Sequence, residues 1–163
     1  MPDRMVISNT SPLLYLHQVE RIGLLRDLYR DVYVPLAVEA ELRKGAALGC
    51  STPTLSRLPW VHVQTLADRS LVPMIADLGP GESEAIALGL ANPGCLLLLD
   101  DALGRKVAGK RRLAYTGTLG VLVRSKKEGL LPDLANVIED LRRTTMYLSS
   151  ELISAVLKEA NER

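Results

Sequence analysis

Five acidic residues are placed along the chain where they could gather around a cation. Asp100 and Asp101 directly follow the apolar run of residues 95–99. A short strand that ends in two carboxylates puts them at the carboxyl edge of a sheet, where open α/β folds bind their ligands. The other three fall in or beside helical segments and are Glu41, Glu82 and Glu84. Carboxylates are the preferred ligands of hard cations, so their gathering at one edge predicts a cation site.

The elements that must position these acids alternate between strands and helices. The predicted strands are residues 5–9, 32–34, 61–63, 95–99 and 113–115. Glu41 falls in a helix that Pro35 opens, and Glu82 and Glu84 open a helix that stops at residues 92–94. Further helices are predicted at residues 10–28, 54–58 and 103–111, after Gly120, and twice beyond Leu134, the last capped near Ser149. Strands separated by helices pair in parallel through right-handed crossovers, which predicts an α/β fold with a helix-covered sheet.

The composition is that of one globular domain spanning residues 1–163. The chain is 47% hydrophobic and 24% charged, which is enough apolar material for a substantial core. Its longest apolar runs are about five residues, against roughly twenty for a membrane-spanning helix, and no targeting segment is visible at the N-terminus. We therefore expect no membrane insertion and a cytoplasmic location. Cys50 and Cys95 lack the spacing of metal ligands, so reduced thiols are expected.

Positive charge is concentrated between Ala102 and Lys127, a stretch without Asp or Glu. Two interpretations stay open for this basic run, namely a solvated face and a track for a phosphate backbone. The sequence has five Tyr, one Trp and no Phe, which argues against a base-stacking platform. Eight of the twenty Lys and Arg residues lie here: Arg105, Lys106, Lys110, Arg111, Arg112, Arg124, Lys126 and Lys127.

Motifs for other chemistries are absent or out of context. Residues 104–110 contain most of a phosphate-loop pattern, but they read as a helix before a strand, and Arg111 occupies the Ser/Thr position. Thr116 and Thr118 flank a glycine after a predicted strand and could offer hydroxyls to a phosphate. The sequence contains no GxSxG or HExxH motif, which excludes the usual serine-nucleophile and zinc-hydrolase sites.

Five segments in this order resemble a PIN domain, and more narrowly the prokaryotic branch similar to VapC toxins. The resemblance extends from residue 5 to about residue 160. The segments are Val-Ile-Ser-Asn-Thr-Ser-Pro-Leu (6–13), Val-Pro-Leu-Ala-Val-Glu-Ala-Glu-Leu (34–42), Gly-Glu-Ser-Glu-Ala-Ile-Ala-Leu (81–88), Leu-Leu-Leu-Asp-Asp-Ala-Leu-Gly-Arg-Lys-Val-Ala (97–108) and Thr-Gly-Thr-Leu-Gly-Val-Leu (116–122).

This resemblance implies a three-layer α/β/α sandwich with a mostly parallel central sheet, and a metal-dependent nuclease that uses Mg²⁺ or Mn²⁺. The family's second acid corresponds to Glu41, its third to Glu82 or Glu84, and its fourth to Asp100, Asp101 or both. The first position, normally Asp, holds Asn9, whose amide offers one oxygen without the negative charge. Thr10 and Ser11 match the small hydroxyl residues that follow the family's first acid and could hydrogen-bond within the site. The other predicted substrate contacts are the cations nearest to Asp101 in sequence, Arg105 and Lys106, and the hydroxyls of Thr116 and Thr118.

The implied activity is hydrolysis of RNA phosphodiester bonds by the toxin of a toxin-antitoxin pair. The implied partners are the RNA substrate, a small antitoxin protein and a second copy of the chain. The leucines Leu13, Leu14, Leu16, Leu24 and Leu25 form either a pairing surface or a core face. Because Asn9 removes a carboxylate, the alternative is a catalytically weakened PIN fold that binds RNA or protein. A receiver-like signalling domain fits less well, since its first strand would need an acid pair where Ser8 and Asn9 stand.

Overall fold

A five-stranded, all-parallel sheet forms the centre of the computed structural model, which describes residues 4–162. The strands lie in the order β3-β2-β1-β4-β5. Their bounds are β1 Val6–Ser8, β2 Val32–Pro35, β3 Val61–Gln64, β4 Leu96–Leu98 and β5 Ala114–Thr116. All five predicted strands are therefore present, with ends that differ by at most one residue.

Eight α-helices accompany the strands within the described range. They are α1 Thr10–Gln18, α2 Gly23–Tyr29, α3 Leu36–Ala47, α4 Pro80–Ala91, α5 Ala102–Lys110, α6 Thr118–Lys127, α7 Leu134–Arg142 and α8 Ser150–Glu159. The helix predicted at residues 54–58 is a short 3₁₀ turn, Leu55–Arg57. None of the helices in residues 4–162 combines the length and apolar character needed to span a lipid bilayer.

Alternating side chains of the buried strands build a core on each face of the sheet. In β4, Leu96 and Leu98 face one core, whereas Leu97 faces the other. The first core packs under α1, α2, α3, α6, α7 and α8, and the second under α4 and α5. This arrangement confirms the predicted three-layer α/β/α fold with its parallel sheet.

The leucines considered as a pairing surface belong mainly to the first core. Leu13, Leu16, Leu24 and Leu25 are buried there, and Leu14 is half-buried. Their apolar character is thus explained by packing within one chain.

The topological switch point of the sheet lies between the neighbouring strands β1 and β4. Strands β1, β2 and β3 step toward one edge of the sheet, whereas β4 and β5 extend it on the other side. Ser8 pairs with Leu98, and the Asn9 N–H donates to the Leu98 carbonyl at 3.0 Å. Asn9 and Asp100 therefore follow neighbouring strands at the switch point, where crevices form in open α/β sheets.

Glu162 fastens the C-terminal segment to the start of α7. Its carboxylate accepts hydrogen bonds from the Leu134 and Ala135 N–H groups at 2.8 and 3.1 Å, and lies 3.3 Å from Lys126 Nζ. Burial opposes ionisation of this carboxyl group, but these N–H donors and Lys126 outweigh it and hold its pKa below the ordinary value. The ionised form therefore stabilises the folded state.

We expect Glu162→Ala to lower the free energy of unfolding at pH 7 by about 1 kcal/mol, as for loss of a helix-capping side chain. Because the folded-state pKa is lowered, this contribution is present above the ordinary pKa of 4.5 and is lost as the pH falls through the folded value. Urea unfolding of both proteins at neutral and acidic pH measures the difference. Equal stabilities at pH 7 would contradict the anchoring role.

Candidate functional site at the carboxyl edge of the sheet

Asn9, directly after β1, has an unpaired oxygen inside the protein. Its side chain is buried, with 1% exposure, and its Nδ2 donates to Glu82 Oε1 at 3.3 Å. Within residues 4–162, Asn9 Oδ1 is the one buried side-chain oxygen or nitrogen without a hydrogen-bond partner. A buried polar atom left unpaired costs about 1–3 kcal/mol, so its presence points to a ligand that would satisfy it.

Glu41, on α3, brings both of its carboxylate oxygens close to Asn9. Glu41 Oε1 accepts a hydrogen bond from Thr10 Oγ1 at 2.6 Å, and Oε2 accepts one from the Gly81 N–H at 2.8 Å. A Cβ at Gly81 would lie 2.8 Å from Asn9 Oδ1 and from each Glu41 oxygen. Three acceptor oxygens therefore converge beside Gly81, where the absence of a side chain leaves them room.

The two glutamates of α4 have different surroundings. Glu82 contacts Asn9, whereas Glu84 Oε1 accepts from the Ala37 N–H at 3.1 Å, in the first turn of α3. Glu84 Oε2 also lies 3.4 Å from the Arg69 guanidinium. Side chains two residues apart on a helix point in different directions, which explains this separation. Glu82 thus borders the converging oxygens, and Glu84 connects α4 to α3 and to the preceding loop.

Asp100 and Asp101 also separate. Both Asp100 oxygens accept hydrogen bonds from buried Thr118 at the start of α6, Oδ1 from its N–H and Oδ2 from its Oγ1, each at 2.7 Å. Asp101 instead caps α5, because its Oδ2 accepts from the Gly104 N–H at 2.7 Å. Asp100 is therefore held at the sheet edge by Thr118, and Asp101 has a helix-capping role.

Arg105 is fixed beside Asp100. Its Nε donates to the Leu99 carbonyl at 2.7 Å, and its guanidinium carbon lies 5.4 Å from the centre of the Tyr115 ring. A Cβ at Gly117 would collide with this guanidinium and lie 2.6 Å from Asp100 Oδ1, so both groups border the same glycine. The guanidinium nitrogens beyond Nε can still donate to an anion.

The other predicted substrate contacts have less defined positions. Lys106 is exposed on α5, and Ser11 is half-buried in the first turn of α1. Thr116 ends β5, where its carbonyl accepts from the Leu99 N–H at 2.7 Å and its hydroxyl lies against Gly120. These three side chains take no part in the hydrogen bonds of Asn9 and Glu41.

The side chains at this edge provide only oxygen ligands. No group of three or more His, Cys, Asp or Glu residues in the described part of the chain is arranged to hold a metal ion. The convergence instead depends on a neutral amide oxygen, Asn9 Oδ1, beside the Glu41 carboxylate. Oxygen donors of this kind fit Mg²⁺ or Mn²⁺. Because Asn9 is neutral, the site carries one negative charge fewer than a site built from carboxylates alone.

Sequence reasoning did not assign roles to Gly81, Gly117 or Arg69. The two glycines leave space for the oxygens and the guanidinium, and Arg69 pairs with Glu84. The signals for the glycines were the Gly-Pro-Gly sequence at 79–81 and the Thr-Gly-Thr sequence at 116–118. Glycine immediately before a candidate acid, or between two hydroxyl residues, favours a close approach to the backbone.

The parallel sheet and the oxygen-lined switch point define an α/β protein with a polar site at the carboxyl ends of its central strands. Residues 5–162 match the family model DUF3368, described as a PIN domain, so the chain belongs to the PIN-domain family. No curated protein matches the chain. PIN domains are commonly nucleases and generally use divalent metal ions. Membership in this family confirms the resemblance at the level of the PIN domain.

Proposed function

We propose that this PIN domain is a divalent-metal-dependent endoribonuclease. The observation that carries the proposal is the buried, unpaired Asn9 Oδ1, which lies beside Glu41 and Glu82 at the switch point of the sheet. The residues that would hold Mg²⁺ or Mn²⁺ are Asn9 and Glu41, with Glu82 beside Asn9. Asp100, which the family resemblance implies as a further ligand, follows the neighbouring strand β4. When bound, the cation would lower the pKa of a water molecule and neutralise charge on the phosphate.

The surrounding residues orient these ligands. Thr10 and the Gly81 N–H fix the Glu41 carboxylate, and Thr118 fixes Asp100 with two hydrogen bonds. Arg105, beside Asp100, would donate to a phosphate oxygen of the substrate. Such donors position the scissile phosphate and stabilise the negative charge that develops on it during hydrolysis.

The basic run divides into two parts with different roles. On α6, Arg124 pairs with Glu128 at 2.6 Å, Lys126 with Glu162 at 3.3 Å and Lys127 with Glu159 at 4.0 Å. The remaining exposed cations belong to α5 and its C-terminal end, and none of them has a salt-bridge partner among the described residues: Lys106, Lys110, Arg111 and Arg112. We therefore place the phosphate-backbone contacts on α5.

A Lys106→Ala/Lys110→Ala variant is expected to bind RNA with a weaker dependence on salt. Two lost phosphate contacts should reduce the slope of log affinity against log salt by roughly 1.4, since each contact to a single strand contributes about 0.7. Fluorescence anisotropy with labelled RNA in a chelator measures this slope. Lys126→Ala/Lys127→Ala removes the same charge from α6 and should change the slope less. Equal changes in both variants would contradict a track on α5.

The direct test of the proposed function is cleavage of labelled RNA with Mg²⁺ or Mn²⁺ and with a chelator. Cleavage should require the metal and fall in Asp100→Asn, which removes a charge at the sheet edge. Chromatographic co-migration of activity and protein excludes a contaminating nuclease. RNA binding without cleavage at any metal concentration would instead favour the catalytically weakened, RNA-binding alternative.

We also propose that the nuclease is a cytoplasmic toxin, held inactive by a small antitoxin protein. The support is the resemblance of the five sequence segments to VapC-like proteins. Expression of the chain should arrest growth, Asp100→Asn should relieve the arrest, and co-expression of a small protein encoded beside it should do the same. Growth arrest that persists in Asp100→Asn would separate toxicity from this site. Sedimentation at micromolar concentration tests the proposed homodimer.

A further inference from the structure

We infer that Asn9 couples cation binding to substrate binding, so that the site holds a divalent cation weakly alone and tightly together with a phosphodiester. This inference rests on the proposed function and concerns the order in which that site is filled. The substrate group concerned is a phosphodiester of RNA, which carries one negative charge. The residue that produces the coupling is Asn9.

The first support is the charge available for a cation. Asn9 contributes a neutral oxygen and is the most buried of the proposed ligands, with 1% exposure. The carboxylates of Glu41 and Asp100 each already accept two hydrogen bonds, from Thr10 and Gly81 and from Thr118. Donors on a carboxylate offset part of its negative charge. The attraction that remains for a divalent cation is therefore smaller than in a site with three free carboxylates.

The second support is the hydrogen bond between Asn9 Nδ2 and Glu82 Oε1, at 3.3 Å. An aspartate at position 9 would have no N–H to donate and would repel the Glu82 carboxylate. The amide instead holds Glu82 in place before any cation arrives. Asn9 thus stabilises the metal-free site and at the same time lowers its affinity for the metal.

The third support is the direction of the remaining oxygen. Asn9 Oδ1 is unpaired and converges with both Glu41 oxygens, so one ligand position of the site is already formed. Arg105 borders Asp100 and provides N–H donors that can retain a phosphate at the same edge. The negative charge of that phosphate then compensates for the one that Asn9 lacks. By linkage, the cation must raise the affinity for RNA by the same factor.

The experiment measures Mn²⁺ binding by electron paramagnetic resonance, with and without a short 2′-O-methyl RNA that gel electrophoresis shows to remain intact. In the parent protein, this RNA should increase Mn²⁺ affinity about tenfold, within the usual range of coupling between sites. Asn9→Asp should bind Mn²⁺ more tightly without RNA and show a smaller increase with it. Gln64→Glu adds the same charge at the exposed end of β3 and should behave as the parent.

Glu82→Gln provides a second variant in case Asn9→Asp does not fold. It removes one more negative charge, so Mn²⁺ affinity without RNA should fall while the dependence on RNA persists. Equal Mn²⁺ affinity of the parent with and without bound RNA would overturn the coupling, and metal-dependent cleavage by the same preparation would leave the nuclease proposal standing. No Mn²⁺ binding in either condition, together with no cleavage, would overturn both.

Discussion

Glu82→Gln is expected to reduce metal-dependent RNA cleavage about 100-fold, because even residues that only support a metal ligand contribute factors of 10 to 100. Glu82 borders Asn9 and the converging oxygens, so losing its charge should weaken cation binding directly. Its neighbour Glu84 provides the matched change on the same helix. Glu84→Gln should leave cleavage nearly unchanged and instead lower the melting temperature.

The expected loss of stability in Glu84→Gln follows from its contacts. Glu84 accepts a hydrogen bond from the Ala37 N–H at the start of α3 and pairs with Arg69. Removing its charge from a helix N-terminus should cost about 1 kcal/mol, or roughly 2–4 °C in a chain of this size. Thermal unfolding and cleavage at a fixed metal concentration distinguish the two variants. The reverse pattern would assign the metal to Glu84 and place the site on the other side of α4.

The sequence could not decide between these glutamates because α4 is apolar around most of its circumference. Its buried positions include Ser83 and every residue from Ala85 to Gly89. An amphipathic helix shows which side faces the sheet, but a helix buried on nearly all sides does not. The rotation of α4 is therefore set by packing against α3, β4 and α5, which only the folded structure shows.

The fold itself could be predicted because its buried parallel strands are short apolar runs separated by helices. The start of α4 was less clear, since Pro80 begins the helix five residues before the apolar segment 85–91. Proline fits the first turn, where no intrahelical N–H bond is needed. Glu82 consequently lies in the first turn and Glu84 in the second, rather than both at the N-terminus.

Long-range pairing limited the interpretation of the basic run. The Arg124–Glu128 pair has the spacing of neighbours on a helix and is visible in the sequence. Lys126 and Lys127, however, pair with Glu162 and Glu159, more than thirty residues away. Sequence reasoning therefore treated eight cations as one surface, whereas the structure separates a paired group on α6 from the exposed cations on α5.

Gly81→Ala is expected to lower RNA cleavage roughly 100-fold, the cost of displacing catalytic groups by about 1 Å. The new Cβ would lie 2.8 Å from Asn9 Oδ1 and from both Glu41 oxygens, closer than carbon and oxygen atoms tolerate. Glu41 would have to move, which would break its hydrogen bond with the Gly81 N–H. Overpacking of this kind should also cost about 1–3 kcal/mol of stability.

The sign of the stability change makes Gly81→Ala informative. In a helix, Ala is favoured over Gly by about 1 kcal/mol, so a change without steric conflict should stabilise the protein. Gly109→Ala on α5 is the matched control, because its Cβ would lie 3.8 Å from Tyr115, an ordinary contact. We expect Gly109→Ala to raise the melting temperature with unchanged cleavage, and Gly81→Ala to lower both. If Gly81→Ala were stabilised and active, the Asn9 and Glu41 oxygens would not be confined around Gly81, and the proposed cation site would have to lie elsewhere.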